Sequence, residues 1–132
     1  MADANTRDDS GRLAINKCPI LHITSRDEWE QALEHGEYHP RLLDTAGYIH
    51  CSKSSQIIEV ANHLFNGQRG LVLLVIDPKE VNPEIKWEGE EQANLFPHIY
   101  GPLNLNAVKS VLEFPSSEDG TFELPEQMQK TE

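Results

Sequence analysis

Apolar residues along this chain fall in short runs, and the period of each run separates strand from helix. Leu71-Val72-Leu73-Leu74-Val75-Ile76 is an unbroken apolar stretch, rich in β-branched side chains and stopped by Asp77-Pro78. A run of that length and content predicts a central strand covered on both faces. Ile20 to Thr24 predicts a first strand and Tyr48 to Cys51 another. Shorter strands are expected around Ile85 to Glu88, Pro97 to Tyr100 and Val108 to Phe114, with Gly101-Pro102 and Pro115 as punctuation.

Two segments carry the helical period instead. Ser25-Arg26-Asp27-Glu28 has the form of a capping box, in which the serine hydroxyl accepts the third amide of the helix. Trp29, Ala32 and Leu33 would then form the buried stripe of a short helix, ended by Gly36 in the left-handed conformation. Ile57, Ile58, Ala61, Leu64 and Phe65 recur at spacings of three and four, which predicts a second helix capped by Ser52 and ended near Gly67. Tyr38-His39-Pro40 must be extended or turned, because proline disfavours helix at the residue before it. A turn is expected from Asp44 to Gly47. The order β-α-β-α-β followed by β-β-β predicts an α+β fold: a single domain with a mixed, mostly antiparallel sheet and two helices packed against it. Residues 18–114 would form that domain. Residues 1–17 are expected to be a flexible N-terminal tail and 115–132 an acidic C-terminal tail, with Phe122 and Leu124 docked on the body.

Composition narrows the function classes. The chain has 132 residues, enough for one domain, and its net charge of −11 comes mainly from the body, where residues 18–114 hold fourteen acids against seven bases. An acidic body repels a phosphate backbone, so nucleic acid is not an expected partner, although a local basic spot around Arg26, Arg41 or Lys53 remains open. There is no apolar run of membrane-spanning length, and Met1-Ala2-Asp3-Ala4-Asn5 lacks the basic and apolar regions of a signal peptide. Cys18 and Cys51 are too few for a disulfide framework. These features predict a cytoplasmic protein with a small-molecule ligand and no membrane partner. His35 and His39 straddle a helix-ending glycine and cannot share a helical face, so no metal site is expected.

The candidate chemistry lies in polar residues set within apolar strands. Alternation places Tyr48, His50 and Ser52 on one strand face, with Ile49 and Cys51 turned to the core. At the start of a helix, that group could hold a phosphate or a ribose. The competing interpretation is a half-buried histidine bonded to a carbonyl, with Ser52 acting only as a cap. His22 and Thr24 repeat the pattern on the first strand. Trp87-Glu88 sets a carboxylate beside a large aromatic, an environment able to raise a glutamate pKa. His98 and Tyr100 share a strand face. Each of these has packing or solvation as its alternative, but four signals of one kind together predict a single cleft built on a sheet. Cys51, turned away from His50, reads as core rather than nucleophile.

On these stretches the chain resembles a bacterial and plant family catalogued as domain of unknown function 952. The matching segments are Leu21-His22-Ile23-Thr24 with Trp29, Tyr38-His39-Pro40, Gly47 to Ser52, Leu71 to Asp77, Lys86-Trp87-Glu88 and Phe96 to Leu103, over about residues 20–114. Lys86 stands where arginine is expected. More distantly, Tyr48 to Ser52, the helix with Ala61 and the strand Leu71 to Asp77 are similar to the central segment of NAD-dependent RNA 2′-phosphotransferases. Those belong to the ADP-ribosyltransferase superfamily, in which a split sheet grips NAD without a glycine-rich fingerprint.

That second resemblance implies an ADP-ribosyltransferase-like fold with NAD as substrate. It would set His22 and Thr24 on the NAD ribose, and His50 and Ser52 beside the nicotinamide-side ribose and the pyrophosphate. Glu88 or His98 would take the place of the final polar motif. The expected site is therefore His50, Glu88 and His98 as catalytic groups, with His22, Thr24, Tyr48, Ser52 and Tyr100 as ligand contacts. The expected function is transfer of ADP-ribose to a small acceptor. The alternatives are an inactive small-molecule or protein-binding module of the same fold and, third, a hydrolase of nucleotide-like or sugar substrates.

Overall fold

The computed structural model describes residues 18–129, so the expected tail over residues 1–17 lies outside the described residues. In chain order its elements are β1 (Ile20–Ser25), α1 (Arg26–His35), β2 (Glu37–Tyr38), α2 (Arg41–Ala46), β3 (Ile49–His50), β4 (Ser52–Lys53) and α3 (Ile57–Leu64). There follow β5 (Leu71–Ile76), β6 (Ile85–Glu88), β7 (Phe96–Ile99), β8 (Leu103–Asn104), β9 (Val108–Glu113) and α4 (Glu126–Gln129). The fold is α+β and forms a single domain. Its strands make a four-stranded sheet in the order β4-β1-β5-β9, a three-stranded sheet β3-β7-β6 and a pair β2-β8. Every strand pairing among the described residues is antiparallel, so the expected mixed sheet is not what forms.

β5 is the central strand its sequence predicts: all six side chains are buried between β1 and β9. Because side chains alternate along a strand, β5 supplies two cores. Val72, Leu74 and Ile76 pack with Ile20, Trp29 and Tyr38 on one face. Leu71, Leu73 and Val75 pack with Leu21, Ile57, Ala61 and Phe114 on the other. Phe122 closes that second core, stacked on Phe114 with ring centroids 4.8 Å apart. The chain beyond Phe114 is thus laid against the body as far as Met128, which is also buried. No helix among the described residues is long and apolar enough to cross a membrane.

Among the described residues four α-helices form rather than two. α1 starts as expected, with the Ser25 hydroxyl accepting the Glu28 N–H at 3.0 Å, and ends on Gly36 at φ +87°. Its buried stripe is Trp29 and Ala32 alone, for Leu33 is 55% exposed. α2 replaces the expected turn over Asp44 to Gly47. Pro40 stands extended at its N-cap, and at six residues it is too short to show a hydrophobic period. α3 begins at Ile57, behind Gln56, and not at Ser52. Ser52 belongs to β4, where it is buried and paired with Leu21.

The single strand expected from Tyr48 to Cys51 is divided between two sheets. Ile49 and His50 pair with Ile99 and His98 of β7, whereas Ser52 and Lys53 pair with Leu21 and Ile20 of β1. Between them Cys51 donates its N–H to the Pro97 carbonyl at 2.9 Å, with its thiol fully buried. β4 covers only the beginning of β1. Among the described residues no strand pairs with that edge of β1 from His22 onward, and the split opens there.

Candidate functional site

A cavity of about 500 Å³ wraps around the uncovered edge of β1, within the usual size range for small-molecule sites. On one side it is walled by Ile57, Val60 and Leu64 of α3 with Phe65; on the other stand Pro40, Leu42 and Ala46 around α2. Leu42 and Leu64 are 45% and 58% exposed and so form an apolar mouth. Tyr48, His50 and Ser52 all contribute to the wall, as do His22 and Thr24, while Ile49 and Cys51 lie in the core. Alternation therefore predicted the correct face of this segment. Among the described residues the wall contains no lysine or arginine, and Glu28 is its one carboxylate. The expected phosphate site at a helix start beside Ser52 does not form, because the chain runs through β4 and a turn before α3 begins.

Both imidazoles facing this split are fixed by hydrogen bonds. His22 donates Nδ1–H to the His50 carbonyl at 2.7 Å, which leaves Nε2 as an acceptor for the Tyr38 hydroxyl, also at 2.7 Å. Burial holds His22 below the ordinary imidazole pKa and pushes the Tyr38 phenol above its own, so both are neutral near pH 7. Beside them, Thr24 donates its hydroxyl to Glu28 Oε1 at 2.9 Å.

Glu88, His98 and Tyr100 do not line the cavity. They stand behind His50 on one face of the β3-β7-β6 sheet, as the register requires: His50 is opposite His98, and His98 opposite Lys86, with Glu88 one step along the same face. Glu88 Oε1 accepts from Tyr100 Oη at 2.5 Å and from His98 Nδ1 at 2.8 Å. His98 Nε2 then lies 3.1 Å from His50 Nδ1. Tyr48 stacks on the His98 ring, 4.1 Å between centroids and 10° from parallel. His50 Nε2 has no hydrogen-bond partner among the described residues.

The charges follow from this arrangement. Burial, then the neighbouring His98 and His22, lower the His50 pKa to about 4, so its ring is neutral at physiological pH. The Tyr100 hydroxyl, then His98, hold the Glu88 carboxyl below its ordinary value. The expected raising of Glu88 by Trp87 fails because adjacent strand residues face opposite ways, and Trp87 is 48% exposed. Tyr100 is in turn pushed up to about 12 by its bond to Glu88.

Two participants were not anticipated. Tyr38, part of an extended segment and of a family-matching stretch but not of the expected site, is buried and fixes His22. Glu28 was read as a capping residue, but its carboxylate turns to Thr24 and to the Arg41 N–H (3.4 Å) at the cavity wall. The available signal was its spacing from Thr24, four residues along, at a strand–helix junction.

Comparison with known proteins places the chain in a family. The crystal structure of protein CC0527 from Caulobacter crescentus has a TM-score of 0.77 and 31% identity, covering 84% of this chain and 98% of that one. The solution structure of CC0527 gives a TM-score of 0.70 and 34% identity, covering 80% and 92%. No curated protein matches. A family model described as "Protein of unknown function (DUF952)" matches residues 23–111, from the uncovered edge of β1 to the last strand, and the chain belongs to that family.

Proposed function

We propose that the cavity binds a nucleotide-like small molecule, with NAD the first candidate, and that the protein is an ADP-ribosyltransferase-like enzyme acting on a small acceptor. One observation carries the reading. A neutral histidine, His50, is held by His98 while its Nε2 has no hydrogen-bond partner among the described residues, and His50 forms part of a mostly apolar cavity of about 500 Å³. Such a wall suits a planar aromatic body with hydroxyls, and the nicotinamide riboside half of NAD, a cationic pyridinium on a ribose, would find in Glu28 the carboxylate of the lining. The pyrophosphate fits less directly, because the wall has no lysine or arginine among the described residues. It would lie at the rim, where Arg41 stands in sequence between the lining residues Pro40 and Leu42.

In the proposed transfer, the bond from ribose C1′ to the nicotinamide nitrogen breaks and nicotinamide leaves with the electron pair. The acceptor oxygen bonds C1′, and its proton passes to His50 Nε2. Holding donor and acceptor together in a closed, apolar space supplies the remaining advantage. The split between β1 and β3 gives such a ligand a place without any glycine-rich loop.

Thermal shift with NAD, ADP-ribose and nicotinamide, paired with nicotinamide release, tests this reading. The expected result is stabilisation by NAD that is lost in His50→Ala, with release dependent on an acceptor. Stabilisation without release, in the presence of varied small acceptors, would favour a binding module. No shift by any of the three at millimolar concentration would overturn the nucleotide reading.

A further inference from the structure

We propose that Glu88 determines, through His98, whether His50 Nε2 accepts or donates a hydrogen bond, and that it sets Nε2 as an acceptor for a ligand hydroxyl or N–H. This deepens the role given above to His50 and rests on that role. Glu88 acts here as a positioning residue, for it does not line the cavity.

The argument is one of proton counting along three bonds. An ionised carboxylate only accepts, so the 2.8 Å contact to Glu88 requires the proton of His98 on Nδ1. Neutral His98 then presents a lone pair at Nε2. The 3.1 Å contact to His50 can form only if His50 carries its proton on Nδ1. A neutral ring with Nδ1–H has a bare Nε2, and that atom is the acceptor offered to a ligand. Without the carboxylate, His98 is free to carry Nε2–H and donate it to His50 Nδ1. His50 would then hold its proton on Nε2 and become a donor.

Packing supports a fixed chain rather than a chance contact. His50, His98 and Glu88 share one sheet face by register, and Tyr48 lies flat on His98. The bonds also lead charge from His50 towards the Glu88 carboxylate. When a ligand proton reaches His50 Nε2, the Nδ1 proton can pass to His98 Nε2, leaving the imidazolium charge on His98, hydrogen-bonded to Glu88. Protons balance at each step: one arrives at Nε2, one leaves Nδ1, and one is gained by His98.

Long-range proton–nitrogen correlation NMR on the full chain, without ligand, tests the proposal directly. In the wild type, His22, His50 and His98 are all expected in the Nδ1–H form. Glu88→Gln should keep that pattern, since its amide oxygen still accepts. Glu88→Leu should convert His98 and His50 to Nε2–H while His22, whose tautomer is set by a backbone carbonyl, stays unchanged as an internal check of folding. A wild-type His50 in the Nε2–H form would overturn the proposal, even if Glu88→Leu failed to fold. So would a Glu88→Leu variant with the wild-type tautomers. Because no ligand is present, a failure of NAD to bind strikes the functional reading alone.

Discussion

His22 Nδ1 lies 2.7 Å from the His50 carbonyl oxygen, tying β1 to β3 at the point where the β1–β4 ladder has stopped. Continuing the β1–β4 ladder would have set these strands side by side and closed the edge. Instead one side chain spans the interval, and Tyr38 fixes that side chain from the other end. The interval between β1 and β3 is therefore bridged by an imidazole and not by a backbone ladder.

Loss of the Tyr38 hydroxyl should be felt because it is buried. Tyr38→Phe leaves His22 Nε2 without its donor inside the protein, at an expected cost of about 1–2 kcal/mol. Urea unfolding would measure it. A neutral result would mean that water reaches His22 and that the bridge is softer than its geometry implies.

Acid should destabilise the fold through its histidines before its carboxylates. His50 has a folded pKa of about 4, and His22 is also lowered, against an unfolded value near 6.5. Above that value neither state binds the proton. As pH falls from about 6.5 towards 4 the unfolded state takes up protons that the folded state refuses, so stability declines by up to about 1.4 kcal/mol per pH unit for each histidine. The part-exposed His50 should contribute less than His22. Glu88 has a dependence of the same sign in a lower window: its lowered pKa stabilises the fold above the unfolded carboxylate value, and that stability is lost only as pH falls below it. Thermal midpoints from pH 8 to 4, compared with His22→Gln, test the order; a flat wild-type profile down to pH 5 would contradict it.

Filling the cavity should separate binding from folding. Val60 lines the wall from α3 without being fully buried, so Val60→Trp can occupy the space while the helix remains. Any ligand that stabilises the wild type should lose at least tenfold in affinity, about 1.4 kcal/mol. Circular dichroism should be unchanged. Retained affinity would place the ligand elsewhere.

The segment after β9 should be integral to stability. Phe122 is only 2% exposed and stacks on Phe114, so Phe122→Ala is expected to cost about 3 kcal/mol. Its backbone N–H is also held by Asn62 Oδ1 at 2.7 Å, which should keep part of the segment in place. Equal denaturation midpoints for wild type and variant would show that the covering is dispensable.

Much of the scaffold was legible before any coordinates. The length and β-branched content of the apolar run in β5 favoured a strand covered on both sides, which is what forms. Ser25 and Gly36 mark the ends of α1 through local chemistry that needs no tertiary partner. The alternation of Tyr48, His50 and Ser52 correctly separated cavity from core. α2 escaped notice because six residues cannot display a period, and Leu33 was misplaced because a helical stripe does not reveal how wide its partner surface is.

What the chain order by itself determined is which residues are apolar, which strands they favour, and that His22, His50 and His98 stand on strand faces. These are properties of nearest neighbours and of backbone period. Only the tertiary structure decided that Cys51 is where one strand changes sheets, and that Glu88 meets His98 across a hairpin whose loop runs from Gly89 to Leu95. Strand period says which way a side chain points but not which strand lies beside it. Register comes from packing two cores at once, and the hydrogen-bonded chain to His50 follows from that register.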